Sequence, residues 1–159
     1  MRCILKPYLL TALLLALASQ TVADALYELN VEIEKVSASQ GHILFALYAV
    51  DEAASWSDSP MQKHAVAVTE AVDGRLDYTI KALSAGTYAI RLFQDVNDNQ
   101  RLDMAENGFP LEAFAFSGVS SGVGIPRIEQ ATFNVPLAEA RLILSLKHPP
   151  KEKKKGKNP

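Results

Sequence analysis

Oxygen-bearing side chains recur at alternate positions in Asp95-Val96-Asn97-Asp98-Asn99-Gln100-Arg101-Leu102-Asp103, and Glu106 follows three residues later. Calcium is a hard cation that collects roughly six to eight oxygen ligands, and a short loop offering them at every second residue can wrap one ion. Set against the loop of the helix–loop–helix calcium motif, Asp95 takes the first position, Asn97 the third and Asn99 the fifth. Arg101 offers its backbone carbonyl at the seventh, Asp103 falls at the ninth, and Glu106 at the closing position that a bidentate Glu normally fills. Gln100 stands at the sixth position, where Gly normally permits the sharp turn. It would need a positive φ, at a cost of about 1 kcal/mol. The flanking helices of that motif are missing, so this is a calcium loop expected on a β scaffold. Only three formal charges (Asp95, Asp103 and Glu106) would face the ion, which implies weak affinity, with a Kd of ~10⁻⁴ to 10⁻³ M.

The same residues support a metal-free alternative. Asp and Asn side chains hydrogen-bond their own backbone two residues on and tolerate left-handed conformations. An Asx-rich turn therefore needs no cation, and the spacing alone leaves both chemistries open.

Little else in the chain concentrates chemistry. His42, His64 and His148 show no metal-binding spacing. Ser117, Ser120 and Ser121 lack a nucleophile elbow and an identifiable base. A carboxylate pair such as Asp95 and Asp103 is the one arrangement that could hydrolyse a glycan. The expectation is that the protein is not an enzyme.

The elements that must hold this loop are strands. Tyr-Glu-Leu-Asn-Val-Glu-Ile-Glu-Lys-Val, residues 27–36, alternates with Tyr27, Leu29, Val31 and Ile33 on one face and acids on the other. Residues 42–50 are apolar on both faces, as in a central strand. Further strands are expected over 62–70, 76–83, 87–93, 130–137 and 141–147. In the last of these, Leu142, Leu144 and Leu146 share a face opposite Ile143. Turn signals at Ser39-Gln40-Gly41, Asp73-Gly74 and Ala85-Gly86 separate the strands, and Asp73-Gly74 is of the kind that joins hairpin strands. With almost no helical periodicity, the pattern predicts an all-β domain. The expected architecture is a single antiparallel β-sandwich of about seven strands, immunoglobulin- or transthyretin-like. Two long connections interrupt it, over 51–61 and 94–129, and loops of that length in a compact domain are usually functional. Phe114 and Phe116 alternate within the second, serving either the core or an exposed aromatic platform. Glu112 reads as a solvated surface residue, with a loop acceptor as the alternative.

The ends differ from the body. Arg2 and Lys6 precede an apolar run from Tyr8 to Ala18 and the small-residue stretch Ser19-Gln20-Thr21-Val22-Ala23-Asp24-Ala25, the pattern of a cleaved export signal. Residues 1–23 are expected to be the signal, with cleavage as late as 25. The only cysteine, Cys3, precedes the apolar run, so the mature domain, 26–148, has no thiol and no disulfide. No later run reaches the span of about 20 apolar residues that a membrane helix needs. The Lys-rich segment 149–159 has nothing to bury and is expected to be disordered, able to touch anionic surfaces. Removing Arg2, Lys6 and five tail lysines from 16 basic residues leaves nine, and removing Glu152 from 18 acidic residues leaves 17. The body between the ends is therefore near −8. That balance argues against nucleic acid, whose phosphates need a positive face.

Gly86-Thr87-Tyr88-Ala89-Ile90-Arg91-Leu92-Phe93-Gln94-Asp95, the Asp/Asn run, and Asn107-Gly108-Phe109-Pro110-Leu111-Glu112 leading to Phe116-Ser117 resemble the DUF2141 family of exported bacterial proteins. Its blocks occur here in order, and the resemblance extends over about residues 27–147. It implies a small exported β-sandwich whose activity is uncharacterised. Where that family usually carries Gly inside the loop, this chain has Asp98 and Gln100. Three classes of function remain: an exported binding or accessory module contacting an envelope protein or glycan, a purely structural envelope domain, and a hydrolase of envelope polymers.

Overall fold

The computed structural model describes residues 25–37, 40–51, 54–119, 124–139 and 141–150. The expected export signal, most of the basic tail (151–159), Ser120 and Ser121 lie outside the described residues. Among the described residues, no helix is long and apolar enough to cross a membrane.

The described residues form eight strands in two sheets, and the fold is all-β. They are β1 (Tyr27–Glu34), β2 (His42–Ala49), β3 (Gln62–Ala67), β4 (Arg75–Leu83), β5 (Gly86–Asp95), β6 (Phe114–Phe116), β7 (Thr132–Val135) and β8 (Leu142–Ser145). One sheet has the order β4-β1-β8. The other runs β3-β2-β5-β6, with β7 also paired to β5. The period-2 pattern held where it was strongest: Leu29, Val31 and Ile33 of β1 are buried, as are Leu76 and Ile80 of β4. With Ile43, Phe45, Leu47, Ile90 and Leu92 of the second sheet and Leu144 and Leu146, they form one core cluster drawn from both sheets. Each such side chain contributes roughly 1.5–3 kcal/mol by leaving water. The expectation that 42–50 is central is met, since β2 lies between β3 and β5.

Three expectations are corrected. The sheets are not wholly antiparallel, because β8 runs parallel to β1, pairing Val31 with Leu142 and Ile33 with Leu144. Tight turns force antiparallel neighbours only between consecutive strands. These are the first and last, joined by the whole domain, so no turn dictates their direction. Among the described residues there are eight strands where about seven were expected, because Phe114–Phe116 adds β6 within the expected 94–129 loop and pairs with β5 through Arg91, Leu92 and Phe93. The Asp73-Gly74 turn closes on Val72 and Arg75 with paired backbone bonds of 2.8 and 2.9 Å, but it does not join hairpin strands. The strands on either side, β3 and β4, part to different sheets. β3 buries Val66 and leaves Ala65 exposed, and Val68 just beyond the strand is buried as well.

Across the core's edge, His64 of β3 stacks on Phe45 of β2 at 4.8 Å between ring centroids. Its Nδ1 lies 3.1 Å from the Tyr78 hydroxyl of β4, and its Nε2 lies 3.1 Å from Gln62 Oε1. Burial holds the imidazole below its ordinary pKa. The unfolded chain, with His near its usual value of about 6.5, therefore takes up the proton first on acidification. This residue's contribution is intact above about pH 6.5 and is lost as the pH falls toward the lower folded pKa. Melting temperature measured from about pH 7 to about pH 5 should fall more steeply for the wild type than for His64→Gln. Parallel slopes would refute this assignment.

Candidate functional site

The Asp/Asn loop leaves the second sheet at the end of β5. Asp95 is the last strand residue, paired with His42 of β2, and is 1 % exposed. Each of its carboxylate oxygens accepts one backbone amide: Oδ1 that of Asn99 at 3.2 Å and Oδ2 that of Gln100 at 2.8 Å. Two nested Asx turns continue the wrap, with Asn97 Oδ1 accepting the Asn99 amide at 3.2 Å and Asn99 Oδ1 the Arg101 amide at 2.8 Å. To close on itself this tightly, the backbone turns left-handed twice, at Asp98 (φ 57°) and Gln100 (φ 63°). The positive φ expected of Gln100 is observed. Both left-handed residues stand where the resembled family usually carries Gly. Asp is a type that tolerates this conformation, and Gln100 is held in it by the hydrogen bond to Asp95.

Asp103 closes the ring. The side-chain nitrogen of Asn97 donates to its Oδ2 at 2.8 Å, and that of Asn99 to its Oδ1 at 2.9 Å. Asp95, Asn97, Asn99 and Asp103 are thus gathered into one hydrogen-bonded set, Asn97 and Asn99 through their side-chain nitrogens to Asp103 and Asp95 through the Asn99 backbone amide. Among the described residues, neither Arg101 nor Glu106 bonds to Asp103. Arg101 enters through its backbone amide, and its side chain is exposed. Glu106 is exposed, lies in the turn closed by the 2.9 Å bond from the Gly108 amide to the Ala105 carbonyl, and makes no hydrogen bond or ion pair among the described residues. Among the described residues, no group of three or more His, Cys, Asp or Glu side chains is arranged to hold a metal. The gathered set mixes two carboxylates with two amides.

Two neighbours hold the loop, Glu112 in the role the sequence offered only as its alternative reading and His42 with none assigned. Glu112 is not a solvated surface residue: it is 7 % exposed. Its Oε1 accepts the Val96 amide at 2.9 Å and its Oε2 the Asp103 amide at 3.1 Å. One carboxylate therefore clamps the start and end of the loop. The only sequence signal was its position three residues after Phe109, in the segment that resembles the family's G-x-P-x-E block. His42 is the second, with Nδ1 2.6 Å from Asp98 Oδ1, a contact across 56 residues of sequence that no local pattern announces. The carbonyl of Asp103 also accepts the Leu111 amide at 2.8 Å, and that of Phe109 the Ala105 amide at 2.8 Å. The segment after the loop is consequently a small hairpin that leaves Met104, Phe109 and Leu111 about half exposed.

The connection that carries Trp56 packs elsewhere. Trp56 Nε1 donates to the Pro126 carbonyl at 2.7 Å. Its ring meets Tyr48 at 5.2 Å and Phe116 at 5.3 Å, and the Arg91 guanidinium lies 5.2 Å over the Tyr48 ring. Phe116 is buried in this second cluster and Phe114 packs partly buried beside it, so the aromatic pair serves packing. Burial pushes the Tyr48 hydroxyl above its ordinary pKa, opposed by the positive charge of Arg91. Ser117 is fully buried, its Oγ accepting the Ile90 amide at 2.8 Å and donating to the Ala131 carbonyl.

The DUF2141 family model, described as "Uncharacterized protein conserved in bacteria", matches residues 31–142, a span that contains the loop, its Glu112 clamp and all of β2 to β7. No curated protein and no solved structure matches the chain.

Proposed function

The chain belongs to the DUF2141 family, and from that premise we propose that it is an exported, non-catalytic binding or accessory module of the cell envelope. Its two sheets form a sandwich of immunoglobulin or transthyretin type, and its 95–106 loop takes up calcium weakly. Export rests on the charge, length and small-residue pattern of residues 1–23. The partner is an envelope protein or glycan, since a body near −8 would repel nucleic acid.

One observation carries the calcium reading. The buried Asp95 carboxylate accepts the Asn99 and Gln100 amides, and Asn97 and Asn99 reach Asp103, so the side chains at 95, 97, 99 and 103 belong to one hydrogen-bonded network. A cation arriving there would replace the two amide N–H groups that now neutralise Asp103, and Asn97 and Asn99 would present oxygen in place of nitrogen. Each displaced bond involves a charged acceptor, which is worth about 1.5–3 kcal/mol. That competition, together with the small number of carboxylates, keeps affinity low. A second reading rests on the same pair of bonds. Asn97 and Asn99 already satisfy Asp103 within the protein, as a metal-free structural turn would require.

Calorimetry and thermal melting of the full mature chain separate the two. Calcium should bind with a Kd of ~10⁻⁴ to 10⁻³ M. At a tenfold excess over Kd it should stabilise the fold by about 1.4 kcal/mol through mass action. Asp103→Ala should abolish both responses. An unchanged melting temperature and no heat with millimolar calcium leave the metal-free turn as the correct reading.

A further inference from the structure

We propose that the cleft between β6 and β8 binds an extended peptide bearing apolar side chains and a basic residue, which adds a strand along the free edge of β8. This rests on the binding-module reading but not on calcium, and it concerns a different part of the molecule from the Asp/Asn loop.

The geometry follows from which way the backbone of β8 faces. The Leu146 amide donates to the Glu34 carbonyl of β1 at 3.0 Å. By the alternation of a strand, the backbone groups of Leu142 and Leu144 face β1 as well. The odd-numbered residues then face the other way. Lys147 demonstrates it: its amide donates to the Phe114 carbonyl at 2.8 Å, and its carbonyl accepts the Phe114 amide at 3.1 Å. Ile143 and Ser145 continue that edge, yet β6 does not follow them. It ends at Phe116, where the chain turns at 117–118 and Phe116 pairs with Val119. Among the described residues the two strands are joined only at 114/147. A groove of about 770 Å³ opens here, lined by Phe116 and Val119 after β6, by the segment 136–139 that leads into β8, and by Leu142, Ile143 and Ser145 of β8.

Two properties define what fits. The backbone groups of Ile143 and Ser145 have no strand partner among the described residues on the groove side, so the complementary occupant is extended backbone, with pockets for alternate side chains. Exposed edges are usually blunted by Lys, Pro or a bulge. Leu-Ile-Leu-Ser of β8 carries none of these, and Ile143 is 54 % exposed. The charge of the groove selects further. Arg141 is engaged by Glu32 at 2.6 Å, and Glu34 accepts the Ser145 hydroxyl at 3.3 Å. Glu139 is exposed and has no ion pair among the described residues. The spare charge is negative, and a Lys or Arg on the peptide complements it.

The test uses the full mature chain, isotope-labelled, titrated with an array of synthetic peptides in which valine alternates with threonine and one position carries lysine. Binding should shift the amide resonances of Ile143 and Ser145 and slow their exchange. Ile143→Pro removes an N–H on the groove side while leaving the bonds to β1, a placement that edge strands tolerate. It should weaken binding about tenfold or more. Glu139→Lys serves if that variant does not fold. It should weaken the lysine peptides and spare a lysine-free one. The proposal is overturned if no peptide moves Ile143 and Ser145, if both variants bind like the wild type, or if those resonances move with protein concentration alone, which would make a second copy the occupant. Shifts confined to the 95–106 loop would also overturn it, while leaving the binding-module reading intact.

Discussion

Gly41→Ala is expected to cost about 4 kcal/mol, near the top of the range for single substitutions and a large fraction of the roughly 5–15 kcal/mol that holds a domain together. Gly41 precedes β2 with φ +87°, and a Cβ there would lie 2.0 Å from the Asp95 carbonyl oxygen and 2.9 Å from Val96 Cα. Both obstacles are backbone, so no rotamer change relieves them. The Asp/Asn loop would be pushed off the end of the sheet, and the pairing of His42 with Asp95 would break. Gly108 supplies the control. Its φ is +79°, but nothing lies within 4 Å of the position a Cβ would take. Gly108→Ala should therefore pay only the left-handed penalty, about 1 kcal/mol. Urea unfolding of the two variants separates steric clash from backbone strain. Equal losses would show that Gly41 is needed for its conformation and not for the room it leaves.

Glu112→Ala is expected to cost about 3 kcal/mol, because it strips the acceptor from two partly buried amides at once, each worth roughly 1–3 kcal/mol when left unsatisfied. Those amides belong to Val96 and Asp103, so the damage falls on the two ends of the loop. Glu112→Gln keeps one acceptor oxygen and turns an N–H toward the other amide, which places it between the wild type and Glu112→Ala. Hydrogen exchange should quicken at Val96 and Asp103 before it does in the sheets, and any calcium response of the loop should weaken in parallel. A Glu112→Ala variant within about 0.5 kcal/mol of the wild type, the range of an ordinary surface change, would mean that the carboxylate is not a clamp.

These two residues also mark where the sequence stopped being informative. The strands were legible because alternation is a local property: Leu29, Val31 and Ile33 can face one side only if the chain is extended, and burial then fixes which side. The loop was legible for the same reason. Asp95, Asn97 and Asn99 reach backbone amides two to five residues on, and the strain at Gln100 followed from counting positions. The tertiary structure alone decided that β8 lies parallel to β1, that Asp73-Gly74 passes the chain between sheets, and that Glu106 stands outside the gathered set. It alone decided that Glu112, His42 and Gly41 meet the loop. Contacts between residues close in sequence are dictated by short-range sterics and hydrogen bonding, which residue types encode directly. Contacts made across 16 or 56 residues exist only after both sheets have closed on their shared core, and no single segment carries that information.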